Sequence, residues 1–204
     1  MRAWKFVNPI HAPAALNGVF RIGTPDDYRD LEGPQADELD SGRRRTITHL
    51  AVTNFQDPLQ QAAVETLKSM GFPMVQTGNF TFKNIQAIRR DHGHALCLCR
   101  DQANRSFGDK TAIIEIADVN DLALHLTLNN AALARRFRVA HVTYDDVDVE
   151  AQPDNDAPAD PFVKSKRYEC ENELRIFWAN RWATGFVSSA FVPPKGLLTW
   201  LNSE

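Results

Sequence analysis

The sequence predicts a single α+β domain in which mixed or antiparallel β-sheets carry flanking helices, and three observations lead there. At 204 residues the chain suits one domain with a substantial core and falls short of the length that forces two. Its 43% hydrophobic and 24% charged residues are those of an ordinary globular chain, which argues against disorder and against a disulfide scaffold. Short β-branched and aromatic runs alternate loosely with helical spacings, without the regular rhythm of a parallel βαβ sheet. No internal repeat divides the chain, so the domain is expected to span 1–204.

Ala3 to Val7 is the first strand candidate, and Pro9, Pro13 and the Asn17-Gly18 pair punctuate the way to a second, Val19 to Thr24. Ala12 to Leu16 leaves room for a turn or two of helix. Thr24 caps a brief helix carrying Tyr28, with Pro25 at its first position and Asp27 three residues beyond the cap. Leu31 to Arg45 is polar and aperiodic and reads as a surface loop. Thr46 to Asn54 is β-branched and reads as a strand. Asp57-Pro58 followed by Leu59, Ala62, Ala63, Leu67, Met70 and Gly71 has the cap, first-turn proline, spacing and terminal glycine of a helix. Asn79 to Ile85 and Ala95 to Cys99 are further strands, with His92, Gly93 and His94 in the turn before the second. Thr111 to Ile116 is a strand, Asp118 caps a helix reaching as far as Arg135, and Phe137 to Tyr144 returns as a strand. Seven acidic residues with Pro153 and Pro158 make 145–160 a mobile acidic loop. The tail holds a strand from Val187 to Val192, then Pro193-Pro194 and a short helix ending in Trp200.

Charge and composition also bound the partners. A net charge of -3 excludes a broadly basic nucleic-acid binder but leaves local clusters at Arg43, Arg44 and Arg45, at Arg89 and Arg90, and at Arg135, Arg136 and Arg138. Met1 to Pro13 lacks the apolar core of a signal peptide. No window approaches the ~20 apolar residues of a membrane span, so a cytoplasmic location and no membrane partner are expected. Cys97, Cys99 and Cys170 are an odd count without framework spacing, which suits reduced thiols.

The most pointed stretch is Lys164 to Trp178, KSKRYECENELRIFW. Read as one strand, it puts Tyr168, Cys170, Leu174, Ile176 and Trp178 on one face, interrupted by Asn172. The other face then carries Glu169, Glu171, Glu173 and Arg175. Same-face carboxylates about 7 Å apart repel unless they are solvated, paired or protonated. The charged face is therefore either a wet surface balanced by Lys164, Lys166 and Arg167 or a site.

Several chemistries drop out on spacing. His92, His94, Cys97 and Cys99 offer zinc-type ligands, but structural zinc takes pairs two to four residues apart from two segments, so no metal is expected. Neither G-x-G-x-x-G, G-x-x-x-x-G-K-[ST] nor G-x-S-x-G occurs. The acidic loop lacks calcium-loop spacing, and a magnesium nuclease built on Glu169, Glu171 and Glu173 would take every carboxylate from one strand. What remains is the N-terminal GVFRIGTPDDYRDLEG, where Arg21 and Arg29 suit anionic groups, Thr24 and Tyr28 supply hydroxyls, and Tyr28 offers a stacking face. Those are the parts of a nucleotide pocket. Taken singly, Tyr28 reads sooner as a packing residue and Arg21 as the partner of a nearby carboxylate.

These segments resemble an uncharacterised family of bacterial and phage proteins that opens with Y-K-[FY], passes a leucine and a strand to F-N-D-P-F-E, and closes with K, an aromatic and E-x-E-x-R. The matching residues are Trp4-Lys5-Phe6, Leu16, Phe20 to Thr24, Tyr28 to Glu32, and Lys164 through Tyr168 to Glu171, Glu173 and Arg175. Leu31 replaces the family's proline, and its tryptophan-histidine-tyrosine segment is missing from Gln102 to Lys110. The layout also resembles, remotely, an ADP-ribosyltransferase fold. That resemblance implies NAD as substrate, Glu173 as catalytic glutamate with Glu171 before it, and Lys5 or Arg21 on the pyrophosphate. Thr24, Tyr28 and Arg29 would complete the nucleotide site, with Tyr28 stacked on nicotinamide, and Lys166 and Arg175 would contact the substrate. It further implies a toxin or phage-defence effector acting on nucleic acid or protein, with an antitoxin or other protein as partner and the acidic loop helping to choose the target. The alternative is a non-catalytic protein on the same fold that holds a nucleotide or a partner, with Glu171 and Glu173 paired to Arg175 or Lys166.

Overall fold

The computed structural model describes residues 1–25, 27–28, 42–52, 60–61, 64–65, 68, 80–90, 92–104, 108, 110–133, 136–145, 148–150 and 160–201. Along them run β1 (Ala3–Val7), α1 (Ala12–Leu16), β2 (Val19–Ile22), β3 (Gly42–Val52), β4 (Phe80–Arg90), β5 (Gly93–Cys99) and β6 (Ala112–Ile116). There follow α2 (Val119–Asn129), β7 (Arg138–His141), β8 (Thr143–Asp145), β9 (Asp148–Glu150) and β10 (Val163–Ser165). A 3-10 helix (Lys166–Glu171), β11 (Glu173–Ala179), β12 (Val187–Ala190) and β13 (Leu198–Leu201) complete the order.

A six-stranded sheet in the order β13-β6-β1-β5-β11-β7, antiparallel at every pairing, positions the candidate site. β2 pairs with β12, β8 runs parallel to β10, and β3 lies between β4 and β9. This is the mixed, mostly antiparallel α+β arrangement expected. No helix among the described residues is long and apolar enough to cross a membrane.

The core lies on one face of the main sheet. Leu96 and Leu98 of β5, Leu174, Ile176 and Trp178 of β11, and Ile116 of β6 meet Val119, Leu122, Ala123 and Leu126 of α2. Those four α2 residues recur at helical spacing, so one stripe of the helix is apolar and packs on the sheet. Asp118 caps the helix through Oδ1, which accepts from the N–H groups of Asn120 and Asp121. The Trp178 indole donates to Thr127 Oγ1 at 2.8 Å, which satisfies its one polar atom inside the core.

The expected strand from Lys164 to Trp178 is instead three pieces: β10, the 3-10 helix and β11. The break is at Asn172, which takes a left-handed φ of 46° and whose N–H bonds the Glu169 carbonyl. Asparagine tolerates that conformation and ends helices with it. Asn104 latches the turn by donating from Nδ2 to the carbonyls of Cys170 and Glu171. Leu174, Ile176 and Trp178 share the buried face as expected, whereas Tyr168 and Cys170 do not join them and Cys170 is exposed.

Other boundaries moved for equally local reasons. Gly42 to Arg45 belongs to β3 rather than to a loop, because β4 extends to Arg90 and pairs with it. His94 lies inside β5. α2 stops at Asn129, short of Arg135, where Asn130 turns extended, donates from its side chain to the Ser188 carbonyl and accepts from the Ala132 N–H. Phe137 to Tyr144 is split at Val142, whose N–H leaves β7 to bond the Glu173 carbonyl. The tail forms β13 instead of a helix, since a turn closed by Leu197 N–H on the Pro194 carbonyl, with Gly196 at φ 82°, delivers the chain to β6. Within the acidic stretch, Asp148–Glu150 is a strand beside β3, and 151–159 lies outside the described residues. Of the helix expected after Asp57, Gln60, Gln61, Val64, Glu65 and Lys68 are helical. Arg29 and the segment 31–41 lie outside the described residues.

Candidate functional site

Antiparallel register places Glu173, Arg175 and Phe177 of β11 beside Cys99, Cys97 and Ala95 of β5, on the sheet face away from α2. Glu173 is 4% exposed and Arg175 1%. Arg175 Nε donates to Glu173 Oε1 at 2.7 Å, and its Nη1 donates to the Pro161 carbonyl at 2.7 Å. Lys164, delivered by β10, reaches Glu171 Oε2 at 2.7 Å and lies 3.6 Å from Glu173 Oε2, an ion-pair distance beyond hydrogen-bond range. The Glu173 N–H donates to the Tyr144 hydroxyl at 2.8 Å. Two carboxylates and two cations thus close on one another.

The electrostatics follow from that closure. Burial alone would push the Glu173 carboxyl up, but Arg175 and Lys164 overcome it, aided by hydrogen bonds from Arg175 and the Cys97 thiol, and hold it at about 2. Burial raises Tyr144 well above the ordinary phenol, and Tyr28 still further. At neutral pH the group is therefore an ionised carboxylate flanked by a thiol and protonated phenols.

The expected nucleotide residues separate into two sets. Tyr28 lies close enough to Glu173 and Arg175 to feel their charges, yet its hydroxyl donates to the Ala95 carbonyl at 2.9 Å and accepts from the Gly23 N–H at 3.1 Å. Thr24 serves the short helix: Asp27 Oδ2 accepts from its N–H and its hydroxyl, and its Oγ1 accepts from the Asp27 N–H. Lys5 donates to the Cys97 carbonyl at 2.8 Å, and burial pushes its pKa down. Arg21 is exposed and lies 3.6 Å above the Phe186 ring, which meets Tyr28 edge-on. Lys166 is exposed on the 3-10 helix, and Lys164 takes the bridging place foreseen for it. Glu169 is exposed and does not share the face of Glu173. His94 and the two cysteines of β5 fall on opposite faces of that strand.

Sequence reasoning named Lys164 as a counter-charge to the carboxylate face and missed Cys97 and Tyr144 as members of this group. The register between β5 and β11 was the one signal for Cys97, since it needs only the antiparallel pairing of two predicted strands. A further buried residue, His94, is 2% exposed, and neither ring nitrogen has a hydrogen-bond partner in good geometry among the described residues. Burial pushes its pKa below 6.5, against the weaker pull of the Gly185 backbone and the Asp27 carboxylate. The unfolded chain then binds a proton that the folded one refuses, so stability is expected to fall as pH drops below about 6.5. Urea unfolding between pH 7.5 and 5.5 checks this, and His94→Phe should flatten the slope.

The chain matches no family model, no curated protein and no solved structure.

Proposed function

We propose that the chain is a cytoplasmic, NAD-dependent, ADP-ribosyltransferase-like protein, a toxin or phage-defence effector that transfers ADP-ribose to nucleic acid or protein. The observation that supports this is Glu173, a carboxylate kept ionised at the start of an interior strand, two residues after a second glutamate that shares Lys164 with it. In such a transfer the bond from ribose C1′ to the nicotinamide nitrogen breaks and its electron pair leaves with nicotinamide. The sugar becomes an oxocarbenium-like cation, and a nucleophile of the target attacks C1′ and gives up its proton. A fixed carboxylate beside C1′ stabilises that charge. Arg21, exposed on its aromatic shelf, suits the pyrophosphate. Lys5 and Thr24 are already engaged and leave that task to it.

A second reading draws on the same cluster. Glu173 Oε1 is bonded to Arg175, and the four charges balance, as in a non-catalytic protein that holds a nucleotide or an antitoxin-like partner. Labelled NAD incubated with the pure protein and cell lysate separates the two. The enzyme reading expects nicotinamide release that drops about 10²–10³-fold in kcat in Glu173→Gln, with KM little changed, measured at a temperature where that variant is folded. Absence of release and of transfer by the wild type, across protein and nucleic-acid targets, selects the binder.

A further inference from the structure

Arg136 and Arg138 meet Arg181 and Trp182 at one corner of the main sheet. Arg138 stands opposite Phe177 in the register of β7 and β11. One residue earlier, Phe137 turns inward with its ring 6.4 Å from that of Trp178, which leaves Arg136 and Arg138 exposed beside the end of β11. The chain leaves β11 at Ala179, and Arg181 and Trp182 follow at once. β7 is the outermost strand in the sheet order, so among the described residues no further strand of that sheet closes the corner.

The turn that carries Trp182 is tied down. The Asn180 N–H donates to the His92 carbonyl at 3.0 Å, Asn180 Oδ1 accepts from the Trp182 N–H at 3.0 Å, and the Asn180 carbonyl accepts from the Ala183 N–H at 2.9 Å. That turn holds an indole in solvent, with Trp182 74% exposed. A single apolar ring in water needs no explanation by itself. Its company does. Arg181 lies 4.6 Å from the Trp182 ring centroid, and Arg138 lies 4.6 Å from that of Phe162. Among the described residues no carboxylate pairs with Arg136, Arg138 or Arg181. Asp160, close to Phe162 in the chain, turns its Oδ1 to the Phe162 N–H at 3.0 Å instead. Three exposed cations thus meet no counter-charge in a protein whose net charge is -3. Held over rings, two of them lose less freedom on taking a phosphate in a bidentate pair.

From this arrangement we infer that the corner docks single-stranded nucleic acid, with a base stacked on Trp182 and phosphates on Arg136, Arg138 and Arg181. Every base has a face that an indole can cover, but a duplex keeps those faces stacked inside itself. The exposed ring therefore selects a strand whose bases are free. A protein partner fits less well, because the aromatic anchor of a protein interface sits in a desolvated apolar pocket, whereas Trp182 is flanked by exposed Arg181, Thr184 and Gly185. Phosphates and base faces belong to DNA and RNA alike, so both strands qualify. No part of this binding uses NAD, so its failure leaves the transfer reading standing, and failure of transfer leaves the binding.

Fluorescence anisotropy of the full chain without NAD is the test, with labelled single strands of about 12 nucleotides, one DNA and one RNA, over a salt series. The DNA strand annealed to its complement and labelled polyglutamate are the comparisons. Trp182→Ala should weaken single-strand binding about 10-fold and leave the log–log salt slope unchanged, since it removes stacking and no charge. Arg136→Gln, Arg138→Gln and Arg181→Gln should each make that slope shallower by about 0.7, and by about 2 when combined. Lys110→Gln with Lys195→Gln, two exposed cations elsewhere in the chain, is the control and should stay within about threefold. All of these side chains are exposed, so each variant should fold, which thermal unfolding checks. Duplex or polyglutamate bound as tightly as the single strands, an unchanged affinity in Trp182→Ala, or control losses equal to those of the arginine variants would each overturn the inference. So would a strict requirement for one sugar, or no single-strand binding below about 10 μM at about 50 mM salt.

Discussion

Glu173→Ala is expected to lower the free energy of unfolding by about 3–5 kcal/mol, the largest effect of any single charge removal at the site. The loss comes from what remains. Arg175, almost wholly enclosed, keeps its bond to the Pro161 carbonyl but loses the carboxylate that neutralised it, and Lys164 loses one of its two carboxylates and keeps Glu171. Urea unfolding of wild type and variant at pH 7 measures the difference. A loss under about 1 kcal/mol would mean that water already solvates the cluster. Acid makes the same point without mutation. The folded carboxyl titrates near 2 and the unfolded one near 4.5, so its contribution is present above 4.5 and is lost as pH falls between those values. Replacing Glu173 and Arg175 together by leucine and methionine should cost far less than either single change, because no buried charge is then stranded. That contrast matters for the NAD experiment. A loss of transfer in a Glu173 variant speaks for chemistry only where the variant is folded at the assay temperature.

Trp178→Ala should cost a similar 3–5 kcal/mol by a different route, the cavity left where a large, fully buried ring had packed. Phe137 lies against the indole at 6.4 Å between centroids, and Thr127 loses the donor that its hydroxyl accepts. Thr127 still donates to the Ala123 carbonyl, so the polar part of the loss is small and the apolar part dominates. Trp178→Phe should accordingly recover most of the stability. Thermal unfolding followed by far-ultraviolet circular dichroism distinguishes the three proteins, and an alanine variant as stable as the phenylalanine one would contradict the packing argument.

The contrast between these two residues shows what sequence could and could not reveal. Leu174, Ile176 and Trp178 recur at period two, with Glu173, Arg175 and Phe177 on the other face, and that period assigned their shared buried face correctly. Thr24 with Asp27, and Asp118 ahead of α2, were equally readable because capping involves residues within one turn of each other. The Glu173 cluster was misassembled because alternation was carried back through Asn172, and one left-handed residue ends that logic. Glu169 and Glu171 were consequently given the face of Glu173, whereas Glu171 meets it through Lys164, a contact made by the fold of the 3-10 turn. Tyr144 needed the strand break at Val142, and β13 needed an open edge on β6, facts that belong to tertiary pairing rather than to local pattern. Thr24 and Lys5 resemble ligand-binding residues by type, but neighbouring backbone and side-chain groups engage them first.

In the main sheet, β13-β6-β1-β5-β11-β7, no two neighbouring strands follow one another in the chain. Every pairing must therefore close a long loop before its hydrogen bonds and buried side chains can compensate, which puts this sheet among slowly assembling, high-contact-order structures. β1 is interior, flanked by strands that emerge from the ribosome long after it, so it waits unpaired during synthesis. The charged cluster beside β11 is then a late product of folding, complete only when β5, β10 and β11 have met.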